Sequence, residues 1–408
     1  MYLKKITISN FKNIQEAEVN FSSKINFITG MNGVGKTNLL DAIYYLSMTK
    51  SYFANTDSYS IKHGEAFFVV TGEYGVLWNN GGIGVATETK ADTVDSAEET
   101  REKEGMSDEI RDGRKSIGED VGACDKITVS MSKNGEKIAK KNMKSYPRLS
   151  DHIGAIPIVM ISPYDTALIN ESGEERRRFL NSILSQIDRE YLRKVQSYNT
   201  LLAQRNKLLK SPEAGSNTDL LDTFSERLSV NASYIYRKRQ IFAADLLPVV
   251  SRYYKVLSGG LESIGIKYRS DLEHGELVEL HKKSRERDIM LKYTSTGVHR
   301  DDLIFTMEGH PIKNYGSQGQ QKSFLISLKL AQYEIMMRMH GKTPILLLDD
   351  VFDKLDILRV ESLLDIVSSD SFGQIFITDG NKVRAERVLD KIGAESCVYE
   401  MHSGRILQ

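Results

Sequence analysis

Cysteine and long apolar runs are the two features that this sequence has least of. Its 408 residues include two cysteines, Cys124 and Cys397, whose separation fits neither a metal site nor a disulfide framework. This scarcity predicts a reducing compartment, and we expect the cytoplasm. No apolar run approaches the roughly 18 residues of a membrane span, and residues 1–6 do not begin a signal peptide, so no membrane partner is expected.

Net charge is also missing, because 55 basic and 55 acidic residues cancel. The charges are unevenly distributed, however. Residues 85–125 contain thirteen acidic and six basic residues, so the remainder of the chain carries a positive excess. We therefore expect any nucleic-acid contact to be a local basic surface rather than a property of the whole chain.

The first 165 residues predict strands around a single early helix. Residues 24–30 read as a short strand and residues 37–48 as a helix with one apolar face. Residues 65–78 and 126–141 read as further strands, the latter turning at Asn134-Gly135. Between them, residues 79–125 are highly charged, and we expect a disordered or weakly ordered acidic insertion at a hairpin tip.

The middle of the chain predicts a helical lobe. From about 166 to 290, apolar residues recur at three- and four-residue spacing, and residues 211–219 interrupt the pattern between two antiparallel helices. After Thr296 strands and helices alternate again. The expected fold is an α/β domain of mixed sheet and helices, residues 1–165 and 291–408, split by a helical lobe at 166–290.

The segment GMNGVGKT has the spacing of a phosphate-binding P-loop and lies between a predicted strand and a predicted helix. Its glycines let the backbone wrap a polyphosphate, and the following helix presents its positive end. Lys36 would reach the β and γ phosphates, and Thr37 would hold Mg²⁺. The predicted nucleotide contacts are Gly30, Met31, Asn32, Gly33, Val34, Gly35, Lys36 and Thr37.

The carboxylate that a P-loop needs for Mg²⁺ is expected after a second strand. Residues 345–348 are four aliphatics that predict a buried parallel strand, and Asp349 and Asp350 follow. Asp349 is the predicted Mg²⁺ ligand, and Asp350 would orient or deprotonate water. The alternative is a helix N-cap pair. Residues 380–386 approach a guanine-reading motif but have Arg384 instead of Asp, so ATP is favoured over GTP.

The segment YGSQGQQKS places small and amide side chains directly before an apolar helix. A helix start of this kind offers donors to an anion. Its position, before the aspartate strand, resembles the signature loop of ABC-type ATPases, which caps the γ-phosphate held by the opposite subunit. Ser317, Gly319 and Gln320 would then act in a partner's site. The alternative is a simple helix with Ser317 as its N-cap.

Together these motifs resemble the RecF family of bacterial DNA-gap repair ATPases, on the SMC/Rad50-like branch. The resemblance implies an ABC-type head with a short helical lobe, an ATP-driven homodimer, and slow DNA-stimulated ATP hydrolysis that acts as a switch. It also implies action at gapped or junction DNA, double-stranded or at single-strand/double-strand junctions, with RecR and RecO-like partners and, indirectly, RecA. The matching segments are residues 8–14, 30–47, 162–184, 297–303, 315–323 and 346–356.

The same resemblance assigns roles to further residues. Asn38 would join the nucleotide contacts, and Asp356 would lie in an intersubunit loop. Residues 162–165 correspond to a Q-loop, with Tyr164 where the family usually has Glu. Asp353 replaces a usual Ser. Residues 299–302 match a family motif, for which we expect a polar network near the nucleotide.

DNA contact is expected at basic clusters of the lobe, although each cluster is equally consistent with an ordinary solvated helix face. The clusters are residues 176–178, Arg205 with Lys207, residues 237–239, and Lys282, Lys283, Arg285 and Arg287.

Three other functions stay open from the sequence. The chain could be an ATPase serving a nuclease, although it lacks an appended nuclease domain, or a non-catalytic scaffold in which ATP sets the dimer state. A transporter subunit is the third. Only about 125 residues separate the Q-loop candidate from the return to the α/β domain, and no heptad array fills them, unlike the coiled coils of SMC and Rad50 proteins.

Overall fold

The computed structural model describes residues 1–54, 56–75, 124–260, 262–353, 355–380 and 396–407. The predicted acidic insertion lies outside these residues except for its end at Cys124 and Asp125, and most of the segment weighed as a guanine reader lies outside them too. Within the described residues, no helix combines the length and the apolar character needed to cross a membrane.

The strands fall into three sheets, and their bounds follow the alternating apolar pattern of the sequence. They are β1 Tyr2–Phe11, β2 Ile14–Asn20, β3 Ile25–Thr29, β4 Phe67–Gly75, β5 Asp125–Ser132, β6 Lys137–Lys141, β7 Lys144–Ser145, β8 Ile158–Ile161, β9 Ile264–Arg269, β10 Asp302–Met307, β11 His310–Pro311, β12 Ile345–Asp349, β13 Ile375–Asp379, β14 Ser396–His402 and β15 Arg405–Leu407.

The helices lie mainly in the middle of the chain and after β11. They are α1 Lys36–Met48, α2 Ala167–Asn170, α3 Gly173–Ile187, α4 Arg189–Leu209, α5 Thr218–Ser258, α6 Leu277–Leu291, α7 Ile312–Tyr315, α8 Gln318–His340 and α9 Ile357–Val367.

The central sheet has the order β15-β14-β3-β13-β12-β8 and is parallel except for the β14–β15 pair. Strands β3, β12 and β13 are fully buried, as expected for parallel strands covered on both faces. Successive residues of β12 belong to different cores: Leu346 and Leu348 pack with the lobe, whereas Ile345 and Leu347 pack with α1. The carboxyl ends of β3 and β12 therefore meet at one edge of the sheet.

The second sheet is antiparallel, with the order β2-β1-β4-β5-β6-β7. Its inner face packs against α1, and its outer face carries polar residues, as in an antiparallel sheet with one solvated side. The predicted turn at Asn134-Gly135 is confirmed, with Gly135 at φ +89° between β5 and β6. The expected α/β class of mixed sheets and helices is confirmed.

The lobe differs from its sequence pattern in two places. The helical run predicted before residue 210 is broken at Asp188, whose side chain accepts a hydrogen bond from the Tyr191 N–H at 3.0 Å and caps α4. A strand, β9, also lies within the range predicted as helical, because Ile264 and Ile266 pair with β10 in a third, three-stranded sheet. The second run is one 41-residue helix, α5, with Pro248 inside it.

Candidate functional site: a P-loop and an unpaired signature loop

The P-loop lies between β3 and α1, as the sequence predicts, and its glycines are required by close contacts. Gly30 has φ +143°, and a Cβ there would lie 2.5 Å from the Met401 carbonyl oxygen. Gly35 has φ +114°, and a Cβ there would lie 2.7 Å from the Asn13 side chain. Both positions lie in a left-handed region that other residues rarely adopt. At these two positions the loop can therefore offer a ligand only its backbone.

Donors and positive charge converge at the start of α1. The helix begins at Lys36, so the N–H groups of its first turn have no partner within the helix. The buried Lys36 ammonium donates to the Gly30 carbonyl at 2.7 Å and to the Met31 carbonyl at 3.2 Å. Met31 and Asn32 are exposed at the tip of the loop. This arrangement is a site for a polyphosphate.

Thr37 and Asp349 meet across 312 residues of sequence. The Thr37 hydroxyl donates to the Asp349 carboxylate, at 2.9 Å to Oδ1 and 3.1 Å to Oδ2. Thr378, at the end of β13, donates to the same carboxylate at 2.8 Å. Burial raises the pKa of Asp349 to about 6, against the lowering effect of these hydrogen bonds. The two residues expected to hold Mg²⁺ are thus adjacent, and Asp349 is buried.

Asp350 is held differently from its neighbour. It is half-buried, its φ is +44°, and its N–H donates to the Thr378 hydroxyl at 3.0 Å. A left-handed backbone is uncommon for a residue other than glycine and turns the side chain away from the direction of the strand. Burial raises the pKa of Asp350, and the positive charge of Lys36 opposes that rise.

Asn13 is a site residue to which sequence reasoning gave no role. Its amide donates to the Val34 carbonyl at 3.2 Å, and its Oδ1 accepts from Asn38 Nδ2 at 2.7 Å. The Gly404 N–H donates to the same Val34 carbonyl at 2.9 Å. The turn after β1 therefore fixes the middle of the P-loop and orients Asn38. The family match at residues 8–14 was the signal available in the sequence, but it did not show which atoms Asn13 contacts.

The signature loop forms the N-terminus of α8. The Ser317 side chain accepts from the Gln320 N–H at 3.3 Å, and Gln320 Oε1 accepts from the Ser317 N–H at 2.7 Å. This is a capping box. Gln320 also donates to Glu262 at 2.6 Å, and Gly319 leaves room for Arg359. The N-cap weighed as the alternative is the geometry found, and the other partners of the loop are Glu262 and Arg359.

A buried ion pair connects α8 to the Q-loop candidate. Lys329 Nζ lies 2.8 Å from Asp165 Oδ1 and donates to the Tyr52 hydroxyl at 2.9 Å and the Met160 carbonyl at 3.0 Å. The Tyr52 hydroxyl in turn donates to Asp165. Tyr164, the residue that replaces a usual Glu, is 69% exposed. Asp165 rather than Tyr164 therefore connects this loop to the helix that begins at the signature loop.

The motif at residues 299–302 forms a polar network, but at the base of the lobe. Asp301 accepts from Arg239 on α5 and from Tyr268 on β9, and Asp302 pairs with Arg176 on α3. His299 lies 2.8 Å from the Tyr198 hydroxyl on α4. Within the described part of the chain these contacts are to the lobe, which corrects the expectation of a network beside the nucleotide.

Several of the cations proposed for DNA contact are already paired with acidic side chains. Arg205 is buried and donates to Asp288 at 2.8 Å and to Thr294 at 2.7 Å. Arg239 is buried with Asp301. The expectation of DNA contact is wrong for these two residues, because a charge paired in the core is not available to a ligand. Arg178, Lys238, Lys282 and Arg285 also have acidic partners, in more exposed positions.

A P-loop, a carboxylate strand and a separate signature helix on one parallel sheet define an ATPase head of the SMC type. The family model described as RecF/RecN/SMC N terminal domain matches residues 2–395. Two SMC head domains, one of them bound to the C-terminal domain of ScpA and derived from Pyrococcus furiosus, have TM-scores of 0.51 and 0.52 at 15% identity, and they share the fold.

Closer relatives narrow the class. The DNA replication and repair protein RecF of Bacteroides fragilis strain YCH46 is 39% identical over the whole of this chain and 98% of its own length. That of Flavobacterium johnsoniae is 39% identical over 95% of this chain and 97% of its own length. The chain belongs to the RecF family.

Two solved structures of the recombination mediator protein RecF in the RecFOR pathway agree with this assignment. The one described as RecF-ATP has a TM-score of 0.80 and 28% identity, and it covers 100% of this chain and 97% of its own. The one described as RecF-ATPrS has a TM-score of 0.78 and 28% identity, covering 99% and 97%.

Proposed function

We propose that this chain is a DNA replication and repair protein that works as an ATP-gated DNA clamp. ATP binding joins two copies on gapped or junction DNA, and hydrolysis releases them. With RecR and RecO-like partners, the clamp helps to place a recombinase of the RecA type on single-stranded DNA. Support comes from the RecF relatives of full length and from the RecF-ATP structure of the RecFOR pathway.

The observation that carries the nucleotide part is the contact between Thr37 and Asp349. A hydroxyl and a buried carboxylate at this spacing, beside a loop that can hold phosphates, fit Mg²⁺, which takes few protein ligands and keeps waters and phosphate oxygens. Bound there, Mg²⁺ would neutralise charge on the phosphates. Lys36 would leave the loop carbonyls to contact the β and γ phosphates, and Asn13 would keep the loop open.

The dimer part follows from the position of the signature loop. Ser317 and Gln320 bond to each other, Gln320 bonds to Glu262, and Arg359 lies beside Gly319, whereas the P-loop and Thr37 contact Asn13, Asp349 and β14. The donors of the α8 N-terminus are exposed, and a triphosphate on a second copy is the anion that would complete both half-sites. Asp356, which caps α9 beside this surface, would lie at the same interface.

Hydrolysis is assigned to Asp350, in the role of water orienter and proton acceptor. Its raised pKa and its place beside Lys36 suit a group that must hold a proton for a short time. Aspartate is shorter than the glutamate of many ABC proteins, so we expect slow turnover stimulated by DNA. The second candidate function, a scaffold in which ATP sets the dimer state without turnover, rests on this same short side chain.

The decisive experiment is sedimentation velocity of the purified chain with ATP·Mg²⁺, with ADP and without nucleotide, each with and without gapped DNA. With ATP·Mg²⁺ and no DNA we expect dimers. With ATP·Mg²⁺ and gapped DNA we expect a larger complex. An unchanged monomer in all six conditions would contradict the proposal.

Replacing Asp350→Asn separates the ATPase from the scaffold. The amide keeps the shape of the side chain but cannot accept a proton, so we expect the ATP dimer on DNA to persist while phosphate release falls by about 100-fold or more. Phosphate release is measured at saturating DNA. A variant with the turnover of the natural chain would remove Asp350 from the mechanism and favour the scaffold.

A further inference from the structure

The β5–β7 segment concentrates positive charge on the ATPase head. Residues 126–148, here called the basic hairpin, contain seven basic residues and a single acidic one, Glu136. Most of the positive excess that balances the acidic residues 85–125 therefore lies in 23 consecutive residues. The basic residues are Lys126, Lys133, Lys137, Lys140, Lys141, Lys144 and Arg148.

Fewer than half of these cations have an acidic partner within the described residues. Lys137 pairs with Asp57, Lys141 with Asp125 at 2.7 Å, and Lys126 with Glu73 at 3.2 Å. The other four contact no acidic side chain within the residues that the structure describes. They are Lys133, Lys140, Lys144 and Arg148, of which three are exposed and Lys140 is partly exposed. The pairs of Lys126 and Lys141 are themselves solvent-exposed and contribute little, so a polyanion can replace them.

The outer face of the sheet continues this surface with hydroxyl groups. The backbone register aligns Thr7 with Thr71, Thr71 with Thr128, and Thr128 with Lys140. All four side chains are partly exposed, and the Thr71 and Thr128 hydroxyls lie 3.1 Å apart. Lysine, threonine and serine side chains are the usual donors to nucleic-acid phosphates. The sheet thus presents a row of such donors that ends in a basic edge strand.

A polar groove lies on the opposite face of the hairpin, because its lining residues Ile127 and Lys141 alternate with Thr128 and Lys140 along the strands. Its volume is about 570 Å³, and its lining includes Met1, Lys141, Arg189, His340 and Lys342. The carboxylates along it are Asp125, which is paired with Lys141, and Asp151. His340 Nε2 donates to the Gly154 carbonyl at 2.7 Å, while its buried Nδ1 has no partner among the described residues. The groove has the size and charge for a backbone phosphate.

We propose that the basic hairpin and this groove form a nucleic-acid backbone contact surface on the ATPase head, separate from the lobe. The contact is to phosphates, because lysines and hydroxyls along a flat sheet carry no base-reading geometry. This inference rests on the proposed function, since it names a part of the chain that holds the DNA. It also explains how a chain of zero net charge, whose lobe arginines are largely paired, binds a polyanion.

The test compares two variants that lose the same charge. The first is Lys140→Gln/Lys144→Gln/Arg148→Gln in the basic hairpin. The second, Lys207→Gln/Lys283→Gln/Arg287→Gln, removes three exposed lobe cations that have no acidic partner within the described residues. Fluorescence anisotropy of a labelled 30-base-pair duplex is followed with ATP·Mg²⁺ at several salt concentrations. Nucleotide affinity and ATP-dependent dimerisation serve as folding controls and should be unchanged in the hairpin variant.

We expect the hairpin variant to lose affinity and to reduce the slope of log K against log salt by about 2 to 3, since each lost phosphate contact contributes about 0.9. A slope equal to that of the natural chain would overturn the inference. Failure of the natural chain to bind DNA would remove both this inference and the proposed function. Poly-L-glutamate is the competing probe: if the hairpin variant loses binding to it but keeps the DNA slope, the surface takes an acidic polypeptide instead.

Discussion

The P-loop and the signature loop differ in how many distant parts of the chain hold them in place. The P-loop is fixed by residues from distant parts of the sequence: Asn13 on one side, Asp349 on another, and the Met401 carbonyl packed against Gly30. The signature loop is fixed by its own capping box and by Glu262, and its contacts within the described residues do not include the P-loop. One half-site is therefore built for a nucleotide, and the other is built as a stable helix start.

Under the proposed function, this difference would let ATP act as a switch. The P-loop half-site would bind ATP in a monomer, and a second copy would supply the donors of its signature loop. Binding free energy gained only in the dimer would then make the dimer depend on the γ-phosphate rather than on a preformed interface.

The strongest way to break the P-loop half is Lys36→Ala. The substitution removes the ammonium that the loop holds at its centre, and a lost hydrogen bond to a charged group costs about 1.5–3 kcal/mol, or roughly ten- to a hundredfold in affinity. We expect ATP-dependent dimers to disappear, as measured by light scattering. Lys62→Ala, at a partly exposed lysine between α1 and β4, is the control. Normal dimerisation of the Lys36 variant would contradict the assignment.

The signature half is broken by Ser317→Arg. We expect the bulky side chain to block the dimer completely in the measured range, while isothermal titration shows ATP binding by the monomer unchanged. Loss of the cap alone costs about 1 kcal/mol of stability. Ser172→Arg is a control for the loss of an N-cap, because the Ser172 side chain caps α3 by accepting from the Glu174 N–H. If both variants dimerise equally, the signature loop does not face a partner's nucleotide.

Sequence and structure agree where chemistry is local and diverge where it depends on distant neighbours. The P-loop, the position of Asp349 at a strand end and the N-cap role of Ser317 were all readable, because each depends on a few consecutive residues. The role of Asn13, and the buried set of Lys329, Asp165 and Tyr52, depend on the registration of separate elements, which no single motif contains.

Charge was the feature that the sequence predicted least well. Arg205 and Arg239 were expected at a DNA surface because they stand in basic clusters, yet both are buried with aspartates 83 and 62 residues away. A cluster of like charges on a helix says nothing about the acids that the fold brings to it. The basic hairpin shows the opposite case, since its acidic neighbours in the described residues are fewer than its cations.

The Asp349→Asn variant tests the P-loop half-site through the pH dependence of the stability of the folded chain. Because burial raises the pKa of Asp349 from 3.8 to about 6, the folded state binds this proton more tightly than the unfolded state does. The resulting stabilisation is complete below about pH 4 and is lost as the pH rises through about 6. Above pH 6 the buried charge of Asp349 destabilises the folded state. Without nucleotide, the variant should therefore be more stable than the natural chain at pH 8, by about 1–3 kcal/mol.

Thermal melts at pH 5 and pH 8, with and without ATP·Mg²⁺, measure this effect. The variant should lose most of the stabilisation that ATP·Mg²⁺ gives to the natural chain, since the amide is a poor ligand for Mg²⁺. Asp370→Asn, at a fully exposed carboxylate, should change neither melt. A variant that is less stable than the natural chain at pH 8 would show that Asp349 is not a buried cost in the free protein.

Asn13→Ala tests the smallest difference between the two half-sites, which is whether long-range contacts prepare the P-loop for ATP. The substitution removes two exposed hydrogen bonds, to Val34 and from Asn38, each worth about 0.5–1.5 kcal/mol. Because the bonds are exposed, the melting temperature should hardly change, whereas ATP affinity should fall by about three- to tenfold. Asn20→Ala, at the exposed end of β2, is the control. If Asn13→Ala binds ATP like the natural chain, the P-loop keeps its shape through Gly30, Gly35 and Lys36 alone, and the contact to Asn13 does not prepare it for ATP.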